Sequence, residues 1–198
     1  MLKQRNVVKR SALICLVTVW STLILSCSLS SKSSAPDPEA QKRYANQKAL
    51  EAKTAEFTVM PTKVQLVKEP YLKGKIAFYR QLSGTWYLEN FDDQYKDKPK
   101  VQALFAQAPD EVGTIVLIPD CAQTKKGEYE VSAGYNLPAY IEKCEVSLID
   151  PATSTVIYRK DFTGRLDKET KVDKTQSEVV GFVDKAEIYD FLTSLTRK

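Results

Sequence analysis

The chain has 198 residues, 43% hydrophobic and 27% charged, which is the balance of a globular protein rather than a disordered or fibrous one. Its 29 basic and 25 acidic side chains leave a net charge of +4, and there is no histidine. That absence excludes Ser-His-Asp and Cys-His nucleophilic systems and every histidine-containing metal site; the seven glycines are isolated and form no phosphate-cradling loop, so no cofactor is expected.

The first element is the stretch 11–27, SALICLVTVWSTLILSC, preceded by Lys3, Arg5, Lys9 and Arg10, with no acidic residue before Cys27. A basic start, an apolar core of about 15 residues and a small residue before a cut are features of a secretory signal. The run falls short of the roughly 20 residues that a spanning helix needs. Its last four residues, Ile24-Leu25-Ser26-Cys27, resemble the lipobox of bacterial lipoprotein precursors. The resemblance implies that residues 1–26 are cleaved and that the Cys27 thiol receives a diacylglycerol. It also implies an acyl chain such as palmitate on the new amine, and a domain anchored outside the cytoplasm to the lipid bilayer. Ser28 would favour the outer membrane in a host with two membranes. The alternative is an uncleaved signal anchor in which Cys27 is merely apolar. Residues 1–26 hold all the excess positive charge, so the processed chain is formally neutral. Nucleic-acid binders carry a basic imbalance, so nucleic acid is not an expected partner.

Residues 28–36 (SLSSKSSAP) read as a polar, disordered tether. Asp37-Pro38-Glu39 then has the residues of a helix start: a capping carboxylate, a first-turn proline and an acid at the positive end of the dipole. Residues 40–57 are good helix formers with a thin apolar face, Ala45, Ala49 and Ala52 beside Tyr44, Leu50 and Phe57. An exposed spacer helix is expected, with a partner-binding helix as the alternative. Tether and spacer therefore occupy 27–58, and the globular domain 59–198.

Within that domain, residues 75–80 and 85–91 read as strands joined at Ser83-Gly84, and 92–100 as a charged loop. Val101, Leu104, Phe105 and Ala108 have helical spacing, stopped by Pro109. The unalternating run 114–118 predicts a strand buried on both faces and central in its sheet. Lys126-Gly127 predicts a turn that sends 128–131 back. Residues 140–149 alternate, Cys144, Val146 and Leu148 against Glu145 and Ser147, and with 155–162 predict a hairpin about the 150–154 turn cluster. Residues 164–177 read as a mobile loop. Asp184 and Glu187 have near-capping-box spacing, and Ile188, Phe191, Leu192 and Leu195 form one apolar face of a last helix ended by Arg197 and Lys198. The expected fold is α+β: a single mixed or mainly antiparallel sheet of about five to six strands, with the C-terminal amphipathic helix packed on it. The pieces 108–112, 114–118, 139–140, 146–150, 162–164 and the terminal helix together resemble a loose group of uncharacterised bacterial extracytoplasmic modules. That resemblance implies a compact mixed α/β module and no known activity.

Cys15 would leave with the signal and Cys27 would carry lipid, so Cys121 and Cys144 are the expected disulfide of an exported domain. Separate buried thiols or a redox pair are the alternatives, the latter lacking C-x-x-C spacing. Carboxylates beside aromatics suit sugar binding or acid–base work, and Trp86, Tyr87, Asp92, Asp93 and Tyr95 are the possible ligand surface. Structural roles compete at each, since alternation along a strand buries one of Trp86 and Tyr87. The expected function is non-catalytic: a membrane-anchored lipoprotein binding an unknown protein partner or envelope component. The alternative is an envelope glycan-binding or glycan-processing module using residues 86–95.

Overall fold

A computed structural model describes residues 37–59, 63–89, 95, 97–131, 135–166 and 175–198. They belong to one compact unit, residues 36–198. The cleavage site, Cys27, the tether 28–36, Asp92 and Asp93 lie outside the described residues.

The chain enters through α1 (Pro38–Thr54), whose start is built as the sequence predicts: the Asp37 carboxylate accepts from the Glu39 N–H at 3.0 Å. A 3₁₀ turn, Ala55–Thr58, follows. The strands are β1 (Lys63–Val64), β2 (Tyr71–Leu72), β3 (Lys75–Leu82), β4 (Thr85–Leu88), β5 (Val112–Ile118), β6 (Ala122–Val131), β7 (Tyr135–Asp150), β8 (Thr155–Thr163), β9 (Val179–Gly181) and β10 (Thr196–Arg197). Between them lie the short α2 (Pro99–Gln102) and the last helix, α3 (Lys185–Ser194).

The fold is α+β, but the sheet is larger than the five to six strands expected. Among the described residues, eight strands form one mixed sheet in the order β1-β8-β7-β5-β3-β4, with β6 and β9 also paired to β7. The two extra strands, β1 and β9, have two and three residues, too few to show any periodicity. A separate parallel pair, β2 with β10, carries the tail back: the Lys198 N–H donates to the Leu72 carbonyl. Arg197, expected to end the last helix, instead donates to the Gly74 carbonyl.

The turn expected at Lys126-Gly127 is not a turn. β6 continues for ten residues, and the glycine marks a register shift with φ of 145°, a backbone that other residues rarely adopt. β5 and β6 therefore run almost continuously along one edge of β7, pairing Ile115 to Ile149 and then Ala122 to Lys143. On the opposite edge β8 pairs 143–150 and β9 pairs 139–141.

Two apolar clusters lie on opposite faces of the central strands. β3 gives Ile76 and Phe78 to one and Ala77 and Tyr79 to the other; β5 gives Val116 and Ile118, then Ile115 and Leu117. This alternation of two buried faces is why the 114–118 run shows no polar residue after Thr114. α3 closes the first face with Ile188, Tyr189 and Leu192. Its start is capped by Asp184, which accepts from the Ala186 N–H at 2.8 Å, while Glu187 pairs with Arg165 rather than completing a capping box.

The second face is partly covered by α1: most of the helix is exposed, as expected of a spacer, but its last turns dock on the sheet. Leu50 and Thr54 are buried, and Leu50 packs with Ala77, Tyr79, Ala106 and Ile115. The Thr54 hydroxyl donates to the Leu50 carbonyl at 2.7 Å; the Tyr79 hydroxyl lies 2.7 Å from Thr54 Oγ1 and 3.5 Å from the Glu51 carbonyl, both acceptors for its one proton. Burial raises the Tyr79 phenol above its ordinary pKa, which keeps that proton in place. Lys53 adds a bond to the Pro109 carbonyl. Replacing Leu50 by alanine should cost about 2–4 kcal/mol of unfolding free energy. Tyr44→Ala, at a side chain 60% exposed, should change it by less than about 0.5 kcal/mol; urea denaturation of both variants distinguishes a docked helix from a free one.

Candidate functional site: a polar cleft beside α1 and a stapled strand junction

α1 meets the sheet only through its last turns, and a solvent-open cleft of about 940 Å³ lies along the rest. One helix face supplies Glu39, Lys42, Arg43, Asn46, Gln47 and Leu50, at steps of three and four. The facing wall comes from Lys75, Leu88, Glu89, Gln102, Ala103 and Gln107. Ala77 and Ala106 form some of the floor, and their small side chains leave the space open.

Most of the charges in this cleft are already paired. Lys75 Nζ lies 2.6 Å from Glu111, Lys185 reaches Glu89 at 3.1 Å, and Arg43 faces Asp37 at 3.9 Å. Four neutral amides, Asn46, Gln47, Gln102 and Gln107, line the walls, and an amide offers both donors and an acceptor. Such walls suit a neutral, hydrogen-bonding ligand.

Glu111 holds the cleft wall in shape. One carboxylate oxygen takes Lys75, and the other accepts from the Gln107 N–H at 2.6 Å and the Ala108 N–H at 3.3 Å. The Lys75 ammonium first, then the Gln107 amide, hold its carboxyl below the ordinary value of 4.5. A depressed carboxyl stabilises the fold above its unfolded pKa, and the contribution is lost as pH falls through the folded value. Stability should therefore decline below about pH 4.5, and Glu111→Gln should flatten some of that decline in denaturation curves taken from neutral to acidic pH.

The second feature is the disulfide. Cys121 and Cys144 are joined, S–S 2.04 Å and Cα–Cα 4.5 Å, as the sequence predicts. Cys121 occupies the break between β5 and β6, and Cys144 the point on β7 between their ladders. Beside them Glu142, itself buried, accepts the Val183 N–H at 2.9 Å through its side chain and the Gly164 N–H at 2.8 Å through its carbonyl. The two sulfurs and this carboxylate lie within 4.8 Å of one another, but sulfurs bonded to each other are not thiolate donors to a metal. Nearby, Gly164 meets the Gly181 backbone so closely that a β-carbon on either residue would overlap main chain. The disulfide closes a loop of 23 residues' separation. Reducing it should lower stability by about 3 kcal/mol on the chain-entropy model, and a non-reducing peptide map should contain one cross-linked fragment bearing both cysteines.

The expected ligand surface is divided by the sheet. Trp86 packs with the α1-side cluster, opposite Gln81 of β3. Tyr87 is half exposed, opposite Arg80. Tyr95 is buried in the α3-side cluster, edge-on to Tyr189 with centroids 4.8 Å apart. The three aromatics therefore share no face. The cleft amides escaped sequence reasoning because they come from three separate segments, and only the i, i+3, i+4 spacing of residues 39–47 hinted at a common face. No known family model, characterised protein or solved structure matches the chain.

Proposed function

We propose that this protein is a membrane-anchored bacterial lipoprotein whose extracytoplasmic domain binds a protein partner or an envelope component without catalysing a reaction. The anchor reading rests on residues 1–27: the basic start, the short apolar run and the Ile24-Leu25-Ser26-Cys27 end. Among the described residues no helix is long and apolar enough to cross a membrane; the proposed attachment is by lipid at Cys27. Two acyl chains, at about 0.8 kcal/mol per buried CH₂, suffice for stable attachment.

The binding reading rests on the cleft. Three of its five charged lining residues, Arg43, Lys75 and Glu89, are engaged in ion pairs, and its walls carry amides, which is the equipment for recognition. The cleft lies directly against the helix that would leave the tether, so a ligand held there would sit near the anchored end of the chain.

Two measurements test the two halves of this reading. The intact mass of the protein extracted from bacterial membranes should lack residues 1–26 and include a diacylglyceryl group; a mass retaining those residues would refute the anchor. A photo-crosslinking residue placed at Gln47 or Gln102 of the full chain in cells should give discrete adducts, and the same residue at Ser194, on the far helix, should not. Equal yields at all three positions would remove the cleft from the proposal.

A further inference from the structure

Among the described residues β6 is the longest strand with only one edge paired. Its ten residues are hydrogen-bonded to β7, and among the described residues nothing pairs with the other edge. Every side chain from Ala122 to Glu128 is exposed. Open edges of this length are templates for another strand, and proteins commonly blunt them with charge or a bulge. β6 has both devices, but its charges are of two signs and separated: Lys125 and Lys126 precede the Gly127 bulge, and Glu128 and Glu130 follow it. None of the four forms an ion pair among the described residues; Glu128 only accepts from the neutral Asn136 amide at 3.1 Å.

This order of charges is self-complementary. The bulge leaves Lys126 without a partner on β7, between Lys125 opposite Tyr140 and Gly127 opposite Ala139, so Lys125 and Glu128 share one sheet face. A two-fold axis at the bulge, between Lys126 and Gly127, sets Lys125 opposite Glu128 of an antiparallel second copy, and the reciprocal pair follows by symmetry. The same register sets Gln123 opposite Glu130, and Thr124 opposite Tyr129, each pair on one face. Shifting the register by one residue sets Lys125 opposite Gly127 or Tyr129, which belong to the other face, and breaks the pairing. Glycine beside the axis carries no side chain to obstruct the approach, and a β-carbon built there would meet nothing within 4 Å. The bulge then falls on the symmetry axis and bends both copies alike.

We propose that the outer edge of β6 is a homodimerisation site, joining two copies antiparallel about the Lys126-Gly127 bulge through reciprocal Lys125–Glu128 pairing. The contact is a strand edge rather than a broad apolar face, so it is weak in dilute solution. Confinement of copies to one surface raises their effective concentration and strengthens it. The alternating charges specify the partner, because a strand bearing a single sign would be repelled by half of this edge.

The test uses full-length chains carrying two different affinity tags, co-expressed, crosslinked with formaldehyde in intact cells, where the proposed anchor would confine them to one membrane, and then purified through one tag in mild detergent. Wild-type copies should co-purify. The double variant Lys125→Glu/Lys126→Glu should lose self-capture by at least about tenfold, and so should Glu128→Lys/Glu130→Lys. Mixing the two variants restores opposite charges along the edge, so they should capture each other at close to the wild-type level. Misfolded chains could not rescue one another in this way. Absence of wild-type self-capture would overturn the proposal, as would self-capture that ignores both charge reversals.

Discussion

The ladder along β7 is the constraint on which the rest of the fold depends. Sixteen residues of one strand carry β6 and β5 in succession along one edge, and β9 and β8 along the other. Both hand-overs fall at residues 141–147, where the chain must keep four partners in register at once. A slip of one residue would turn Cys144, Val146 and Leu148 out of their core and expose them. The disulfide lies at this point, and the buried Glu142 beside it ties the ends of β8 and β9 to the same stretch. Covalent bond, carboxylate and hydrophobic alternation thus all oppose the same slip.

From that axis the two faces acquire different roles. The α3 side is a conventional apolar seal, with Phe78, Phe105 and Tyr189 in tilted and edge-on contact, worth more than their buried area alone. The α1 side is only partly sealed. Among the described residues Leu50, the Thr54–Tyr79 hydroxyl pair, the Glu51 carbonyl facing Tyr79 and Lys53 hold the helix, and small residues beneath its outer length leave the cleft open. Fold and candidate site are therefore the same observation seen from two sides, since the incomplete docking of α1 is what makes room for a ligand.

What the sequence revealed and what it hid follow from the range of the forces involved. The run 114–118 announced a central strand because burial on both faces removes the polar alternation locally. The hairpin 140–162, the last helix and the cysteine pair were legible for the same reason: each is written in contiguous pattern or in residue type. The docking of α1 was not, because it depends on Thr54 meeting Tyr79 and Leu50 meeting Ala77, contacts between distant stretches of chain that leave no periodic trace. Lys126-Gly127 suggested a turn because a glycine with positive φ serves a bulge as well as a turn. Aromatic residues at 86, 87 and 95 looked like one surface because they are close in sequence, yet the sheet separates Trp86 from Tyr95.

The slender attachment of α1 also has a mechanical side. Any tension that reaches the compact unit from its N-terminal end must pass through this helix before it reaches the sheet. The helix is held by a few side-chain contacts that can break in sequence, whereas the strands behind it are cross-bridged along their length and bonded covalently at their junction. A pull would therefore release the helix first and leave the sheet intact, widening the cleft as it did so. The element that frames the opening is also the one placed to yield under load.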